Sequence, residues 1–381
     1  MFVLYCLITI SIVAAYVYLI IYLLEKWSEI PSISYSDDAS LAIPTVSFVI
    51  PARNESQHIK RCIDGVLMQS DKHPDAVKEV IIVDDHSVDD TAVIVKSIAH
   101  PKLQLIPLED HLDDSQSYNA YKKIALNLGI THATGDYIIQ MDADTYCGPD
   151  YLEAVLGILS QGKADMVAAP VVFDGDGSAF QNFQILDILG MMALTAVGIE
   201  TGHWHLSNGA NLIYRRGLVQ FRDSAWASGD DIFAIQKVAA DNDSKILYLK
   251  DLNAIVKTPV ETSIPNFVSQ RLRWATKNKN LKGKGMWIIM AIPYIMVIWL
   301  LVHILAYIIF GPISIVMALM HFSAKVGIDY LYLKEVTNYF EAEEAMSSFW
   351  YSALAHTAYI AIIGTMSLFV RKYEWKGRRV S

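Results

Sequence analysis

The chain is poor in cysteine, with Cys6, Cys62 and Cys147 scattered through 381 residues. That spacing excludes a disulfide framework and a cysteine-built metal centre. It suits a reducing compartment for the middle of the chain. No tract is both basic and aromatic, and the net charge is −9. Nucleic acid is therefore excluded as a partner. No internal repeat or low-complexity tract occurs. No charge falls between Phe2 and Leu24. No basic residue precedes this run and no small-residue cleavage site follows it, so it reads as an uncleaved anchor.

What the chain has in excess is apolar residues, 53% of the total, gathered at its ends. Phe2 to Leu24 is long enough to cross a hydrocarbon layer of ~30 Å. A second block, Met286 to Met320, is interrupted by Pro293, Gly311 and Pro312. It fits either one span with a re-entrant piece or a tight hairpin of two. A third run, Phe349 to Val370, is again of spanning length, and His356 within it points to packing between helices. Ala179 to Ile199 is helical in period, but Asp187 argues against spanning, so a core or interfacial helix is expected. Lysines and arginines flank the runs: Lys26, then Lys277 to Lys284, then Arg371 to Arg379. Such clusters prefer the cytoplasm. A cytoplasmic tail then needs an even number of crossings after Lys284. The expected domains are an anchor at 1–25, a linker at 26–44, a catalytic domain at 45–285, and a membrane region with a basic tail at 286–381.

Within the central region, apolar strands alternate with helical periods. Strands are expected at Val46 to Ile50, Val80 to Val83, Leu103 to Ile106 and Tyr137 to Gln140. Helices are expected at Ser56 to Met68, Asp90 to Ile98 and Tyr118 to Ile130. This alternation predicts an α/β fold, a mostly parallel sheet with helices on both faces. Ligands of such sheets bind beyond the carboxyl ends of the strands.

Polar groups fall at those ends. Pro51-Ala52-Arg53-Asn54-Glu55 follows the first strand. Its loop offers free N–H groups, and Arg53 suits phosphate or carboxylate; a plain helix cap would also account for it. Asp84-Asp85-His86-Ser87 follows the second strand and suits either a base edge or a capping turn. Asp142-Ala143-Asp144 follows the fourth. Alternating carboxylates beyond a strand end suit Mg²⁺ or Mn²⁺ shared with a diphosphate. Gly229-Asp230-Asp231 opens a helix, where acids are favoured at the N-terminus. Equally, one of them suits the role of general base toward a hydroxyl. Gln270-Arg271-Leu272-Arg273-Trp274 precedes a span, where an interfacial helix would carry such residues. Arg273 also suits a diphosphate, and Trp274 offers a flat face to a sugar ring.

Taken in this order, the five segments resemble the membrane-bound family 2 glycosyltransferases of the A-type (GT-A) fold, related to cellulose and hyaluronan synthases and to ceramide glucosyltransferases. The resemblance covers Val46 to Trp274, with transmembrane helices at both ends of the chain. It implies an inverting hexosyltransferase that uses a nucleotide-diphosphate sugar, UDP-sugar favoured. Pro51, Ala52, Arg53, Glu55, Asp84, Asp85, Lys122 and Asp142 would hold the donor, and Asp144 the metal, Mg²⁺ or Mn²⁺. Asp231 would be the base, supported by Asp230. Gln270, Arg273 and Trp274 would meet the diphosphate and acceptor. Lys122 to Asn127 resembles the family's lysine-bearing helix, and Asn208 to Asn211 its acceptor-side loop.

Polymer synthases of this family generally carry more spans. A lipid, lipid-linked or glycan acceptor at the cytoplasmic face of an inner membrane therefore fits better, with a processive polysaccharide synthase as the alternative. A non-catalytic nucleotide-sugar module would have shed some of these carboxylates. A nucleotidyltransferase would need a glycine-rich loop with lysine, and Pro51 to Glu55 has no glycine.

Overall fold

The structure is a computed structural model describing residues 1–32, 43–112, 118, 120–221, 229–241, 243–277, 283–369, 373–375 and 378–380. Lys279, Lys282, Arg371, Lys372 and Lys376, read above as orientation signals, lie outside the described residues, as does most of the expected linker. The helices are α1 (Phe2–Glu29), α2 (Ile59–Lys72), α3 (Thr91–Ser97), α4 (Tyr121–His132), α5 (Tyr151–Leu159), α6 (Ala179–Thr201), α7 (Asp230–Ala239), α8 (Ile264–Thr276), α9 (Lys284–Phe310), α10 (Ile313–Tyr339) and α11 (Phe349–Phe369). The strands are β1 (Val46–Ala52), β2 (Val77–Asp84), β3 (Leu103–Pro107), β4 (Tyr137–Gln140), β5 (Tyr146–Cys147), β6 (Met166–Ala168), β7 (Val171–Asp174), β8 (Leu212–Arg215), β9 (Ile246–Tyr248), β10 (Val256–Pro259), β11 (Tyr373–Trp375) and β12 (Arg378–Val380). The chain divides into two compact units.

One unit comprises Pro31–Asp174, His205–Pro259 and Lys372–Ser381. Its main sheet runs β3-β2-β1-β4-β8-β6-β9. The pairs β1/β2, β1/β4, β2/β3 and β6/β9 are parallel. Strand β8 is antiparallel to both β4 and β6. The centres of β1 and β2, Phe48-Val49-Ile50 and Val80-Ile81-Ile82-Val83, are continuous apolar runs because helices cover both faces. Phe48, Ile50, Val80 and Ile82 sit in the main core with Ile59, Ile63 and Val66 of α2. Helix α4 lies close on the other face, where a Cβ at Gly129 would stand 2.5 Å from Val49 Cγ1. The expected strands and helices through Gln140 all form. The antiparallel β8 and a second sheet, β5-β10-β7, were not anticipated. Their strands are two to four residues long, too short to show a period of two.

The other unit comprises Met1–Ile30, Gly175–Trp204 and Val260–Arg371. Among the described residues, five of its helical segments are long and apolar enough to cross a membrane: Phe2–Glu29, Ala179–Thr201, Lys284–Phe310, Ile313–Tyr339 and Glu343–Phe369. The block after Lys284 is two helices, broken at Gly311, whose φ of +68° suits a residue without Cβ. Helix α10 runs on to Tyr339, through Lys325 and Asp329, whose charges pair at 2.6 Å. Three spanning-length segments follow Lys284. A tail on the same side as Lys284 therefore requires that one of them not cross.

Polar contacts register α1, α9 and α10. The Tyr5 hydroxyl meets His303 Nδ1, His303 Nε2 meets His321 Nδ1 at 3.0 Å, and His321 Nε2 meets Met296 Sδ at 2.9 Å. Trp299 Nε1 donates to Thr9, and the Tyr16 hydroxyl to Asp329. In a medium without water, each such partner is costly to lose.

Candidate active site

Two strand-end loops form one platform in the α/β unit. Ala52 ends β1 and its carbonyl accepts from Asp85 N at 2.8 Å. Arg53 Nη1 donates to the Asp85 carbonyl at 2.8 Å and the His86 carbonyl at 3.1 Å, and lies 3.8 Å from the Asp85 carboxylate. Arg53 is thus engaged in ordering the second loop. Asn54 has φ +51° and His86 φ +55°, left-handed conformations that Asn tolerates better than most residues. Asn54 N donates to Ser87 Oγ, and Val88 N donates back to Asn54 Oδ1. Glu55 N donates to Thr91 Oγ1, and Ser56 N to Asp89 Oδ2.

Asp84 and Asp85 are buried on this platform at 9% and 2% exposure. Asp84 Oδ2 accepts from Ser87 N at 3.3 Å. Its Oδ1 is buried with no hydrogen-bond partner among the described residues. A buried acceptor of this kind asks for a donor from a ligand or a water. His86 Nδ1 lies 2.9 Å from Asp85 Oδ1, and its ring meets Tyr121 edge-on at 5.5 Å.

The second half of the site joins three elements. Beyond β4, Ala143 and Thr145 are buried while Asp142 and Asp144 are half-buried. Thr145 N and Oγ1 both donate to the Asp142 carbonyl, which holds this turn. Lys122, in the first turn of α4, places Nζ 2.7 Å from Asp142 Oδ1 and 3.9 Å from Asp230 Oδ2. Asp230 is buried and accepts from Gln140 Nε2 at 3.2 Å. Asp231 is more open, accepting from Gly209 N at 3.1 Å and from Ile232 N at 2.8 Å. Burial alone would lower the Lys122 pKa. The carboxylates of Asp142, Asp230 and Asp231 outweigh it and hold the pKa above the ordinary lysine range.

Asp144 lines a cleft with His58, Arg61, Thr145, Tyr146, Asp174 and Pro259. Among the described residues, no group of three or more His, Cys, Asp or Glu would hold a metal ion alone. Two half-buried carboxylates are instead the donor set of a hard cation that shares its ligands with substrate phosphates. Three carboxylates, those of Asp142, Asp230 and Asp231, face one ammonium here, so an entering diphosphate meets excess negative charge unless a cation offsets it. The residues present fit Mg²⁺ or Mn²⁺.

One contributor was not singled out from the sequence. Gln140 bridges Gly209, Asp230 and the Tyr214 hydroxyl. Its signal was a polar residue closing an apolar strand. Gly209 closes over the acid pair, and a Cβ there would stand 2.9 Å from Gln140 Nε2 and 3.3 Å from Asp230 Oδ2. Within the loop taken as acceptor-side, Asn211 is buried and braces neighbouring segments, donating to the Pro170 and Ala254 carbonyls and accepting from Tyr151.

The segment Gln270 to Trp274 lies in the other unit, on α8. Ser263 Oγ caps this helix by accepting from Asn266 N. Gln270 Nε2 donates to Glu261 Oε1 at 3.1 Å. Arg271 is fully buried, whereas Arg273 and Trp274 are half-buried.

A mostly parallel sheet whose strand-end loops gather these carboxylates defines the A-type glycosyltransferase class. Residues 47–221 match the model of glycosyl transferase family 2, and residues 137–368 that of glycosyl transferase family group 2. The second match covers more than half of the chain, and the chain belongs to glycosyl transferase family group 2. A 159-residue segment is 29% identical to the succinoglycan biosynthesis protein ExoO of Rhizobium meliloti, covering 40% of this chain and 41% of that protein. A 104-residue segment is 34% identical to the dolichyl-phosphate beta-glucosyltransferase ALG5C of Trichomonas vaginalis, covering 26% and 28%. The chain thus matches about two fifths or less of these relatives' length. The structure resembles that of the mannosyltransferase PcManGT from Pyrobaculum calidifontis in complex with GDP-Man and Mn2+. The TM-score is 0.56 at 19% identity, over 95% of this chain and 98% of that one. That likeness is one of fold.

Proposed function

We propose that this protein transfers a sugar, with inversion, from a nucleotide-diphosphate donor to a lipid or lipid-linked acceptor at the cytoplasmic face of a membrane. The observation that carries the reading is Lys122, whose ammonium ties Asp142 after β4 to Asp230 at the head of α7. A donor-holding loop and an acid pair are thereby coupled through one cation. The unpartnered oxygen of Asp84 suits an N–H of the donor's base, and a UDP-sugar is favoured. Pro51, Ala52, Arg53, Glu55 and Asp85 shape the platform beneath the nucleoside. Asp144, with Asp142, would hold Mg²⁺ or Mn²⁺, which supplies charge neutralisation for the diphosphate. Asp231, the more open acid, takes the proton of the acceptor oxygen, an alcohol O–H or the remaining P–OH of a lipid phosphate, as that oxygen bonds to the anomeric carbon. The bond from that carbon to the diphosphate breaks, and the nucleoside diphosphate leaves. Asp230 supports Asp231 from beneath. Gln270, Arg273 and Trp274 are assigned to the diphosphate and acceptor.

The name of the dolichyl-phosphate relative supports a lipid-phosphate acceptor. The name of the succinoglycan relative supports polysaccharide assembly as the second reading. The test is purified protein in detergent with UDP-glucose, UDP-galactose, UDP-N-acetylglucosamine and GDP-mannose, with Mn²⁺ and polyprenyl phosphate. Release of nucleotide from one donor with a singly glycosylated lipid is expected. Long glycan products would favour the second reading, and release from no donor would sink both.

A further inference from the structure

Helix α8 carries an arginine that the Gln-x-x-Arg-Trp pattern does not name. Arg271 has 0% exposure, and its Nη1 lies 2.9 Å from Asp187 Oδ2 on α6. Its guanidinium lies over the Trp274 ring at 4.3 Å and the Phe267 ring at 5.0 Å. His356 Nε2 stands 3.8 Å from the other Asp187 oxygen. Three residues before Asp187, and so on the same face of α6, Gln184 clasps the entry to α8. Its Nε2 donates to the Glu261 carbonyl at 2.8 Å, and its Oε1 accepts from Glu261 N at 3.0 Å. Glu261 in turn accepts from Gln270. Helix α6 therefore grips α8 at two points, one beside Gln270 and one beneath Trp274.

An isolated buried ion pair is weak grounds for stability, because desolvation offsets attraction. A guanidinium drawn to a carboxylate has a further consequence: the indole that it lies over packs against a charge held in place. We infer that Asp187 and Arg271 are positioning residues for Trp274, with the ion pair holding the guanidinium in place and the guanidinium holding the indole that it lies over. The inference rests on the assignment of Trp274 to the acceptor. It also gives Asp187 a place: the charge inside an apolar helix is there to hold Arg271.

The test is a double-mutant cycle on the full-length protein in detergent. Arg271→Lys keeps the charge and loses the flat face; Trp274→Leu removes the ring. Arg271→Lys is expected to leave nucleotide release to water within about twofold, while transfer to polyprenyl phosphate falls by roughly tenfold. In the Trp274→Leu background it should have no further effect. Asp187→Asn should reproduce Arg271→Lys. Additive losses, or equal loss of hydrolysis and transfer, would overturn the inference. A second readout is independent of activity. The fluorescence difference between wild type and Trp274→Phe isolates the Trp274 indole, and Arg271→Lys must shift that difference spectrum. An unchanged spectrum overturns the inference even if the functional reading stands, whereas an inactive wild type with a shifted spectrum strikes only the functional reading.

Discussion

The Lys122 ammonium lies 2.7 Å from a carboxylate oxygen of Asp142, across 20 residues of chain. Its neighbour Lys123 is buried and points instead toward the Phe233 ring at 5.7 Å. One residue of helical rotation separates a site lysine from a core lysine.

Removal of that ammonium should therefore uncover three carboxylates. Lys122→Met is expected to lower transfer by roughly 10²-fold or more, while Lys123→Met acts mainly on stability. The folded pKa of Lys122 is raised. Its contribution to stability is present below the ordinary lysine value and is lost only as pH rises through the raised one. The pH–rate profile should consequently show no loss from this group up to about pH 10. A lysine-type titration near neutrality, absent in Lys122→Met, would refute the assignment.

Charge also governs the metal. EDTA is expected to abolish transfer, and Asp144→Asn to do the same with circular dichroism unchanged. Asp142→Asn should weaken donor binding as well, because it releases Lys122. Full transfer in chelator would remove the metal from the scheme.

Space is the issue at Gly209. Gly209→Ala inserts a Cβ against Gln140 Nε2 and Asp230 Oδ2, displacing the acid pair. A loss of transfer of roughly tenfold to 10²-fold is expected, with a small change in Tm. Wild-type kinetics in Gly209→Ala would show that the acid pair tolerates displacement.

Acid should open the loop platform through Asp89. Burial alone would raise its pKa, but hydrogen bonds from Thr91 and Ser56 bring it down to about 2. A depressed carboxylate contributes stability that is complete above its unfolded value, ~3.9, and lost as pH falls through the folded one. Between about pH 4 and pH 2, the Tm of wild type should fall more steeply than that of Asp89→Asn. Parallel Tm curves would mean that the Ser56 and Thr91 contacts do not persist in solution.

Much of this protein was determined locally and so was legible in its sequence. The apolar runs of β1 and β2, the carboxylates just past β4 and the uncharged run Phe2 to Leu24 of the N-terminal helix depend on composition and period over a few residues. Helix α8 also carries local start signals, the Ser263 cap and Pro265 in its first turn, which were not singled out from the sequence. Tertiary structure decided the rest, because the deciding partners are remote. Asp230 and Asp231 are chemically identical in sequence. Gln140, 90 residues away, makes Asp230 the buried one. Arg271 and Arg273 are equally basic, and only the approach of α6 sends the first onto Asp187 and leaves the second half-buried. The same holds for the block after Lys284. Its length permitted one span or two, and the turn at Gly311 settled it as two helices by reversing the chain onto α1 and α9 contacts that no local period encodes.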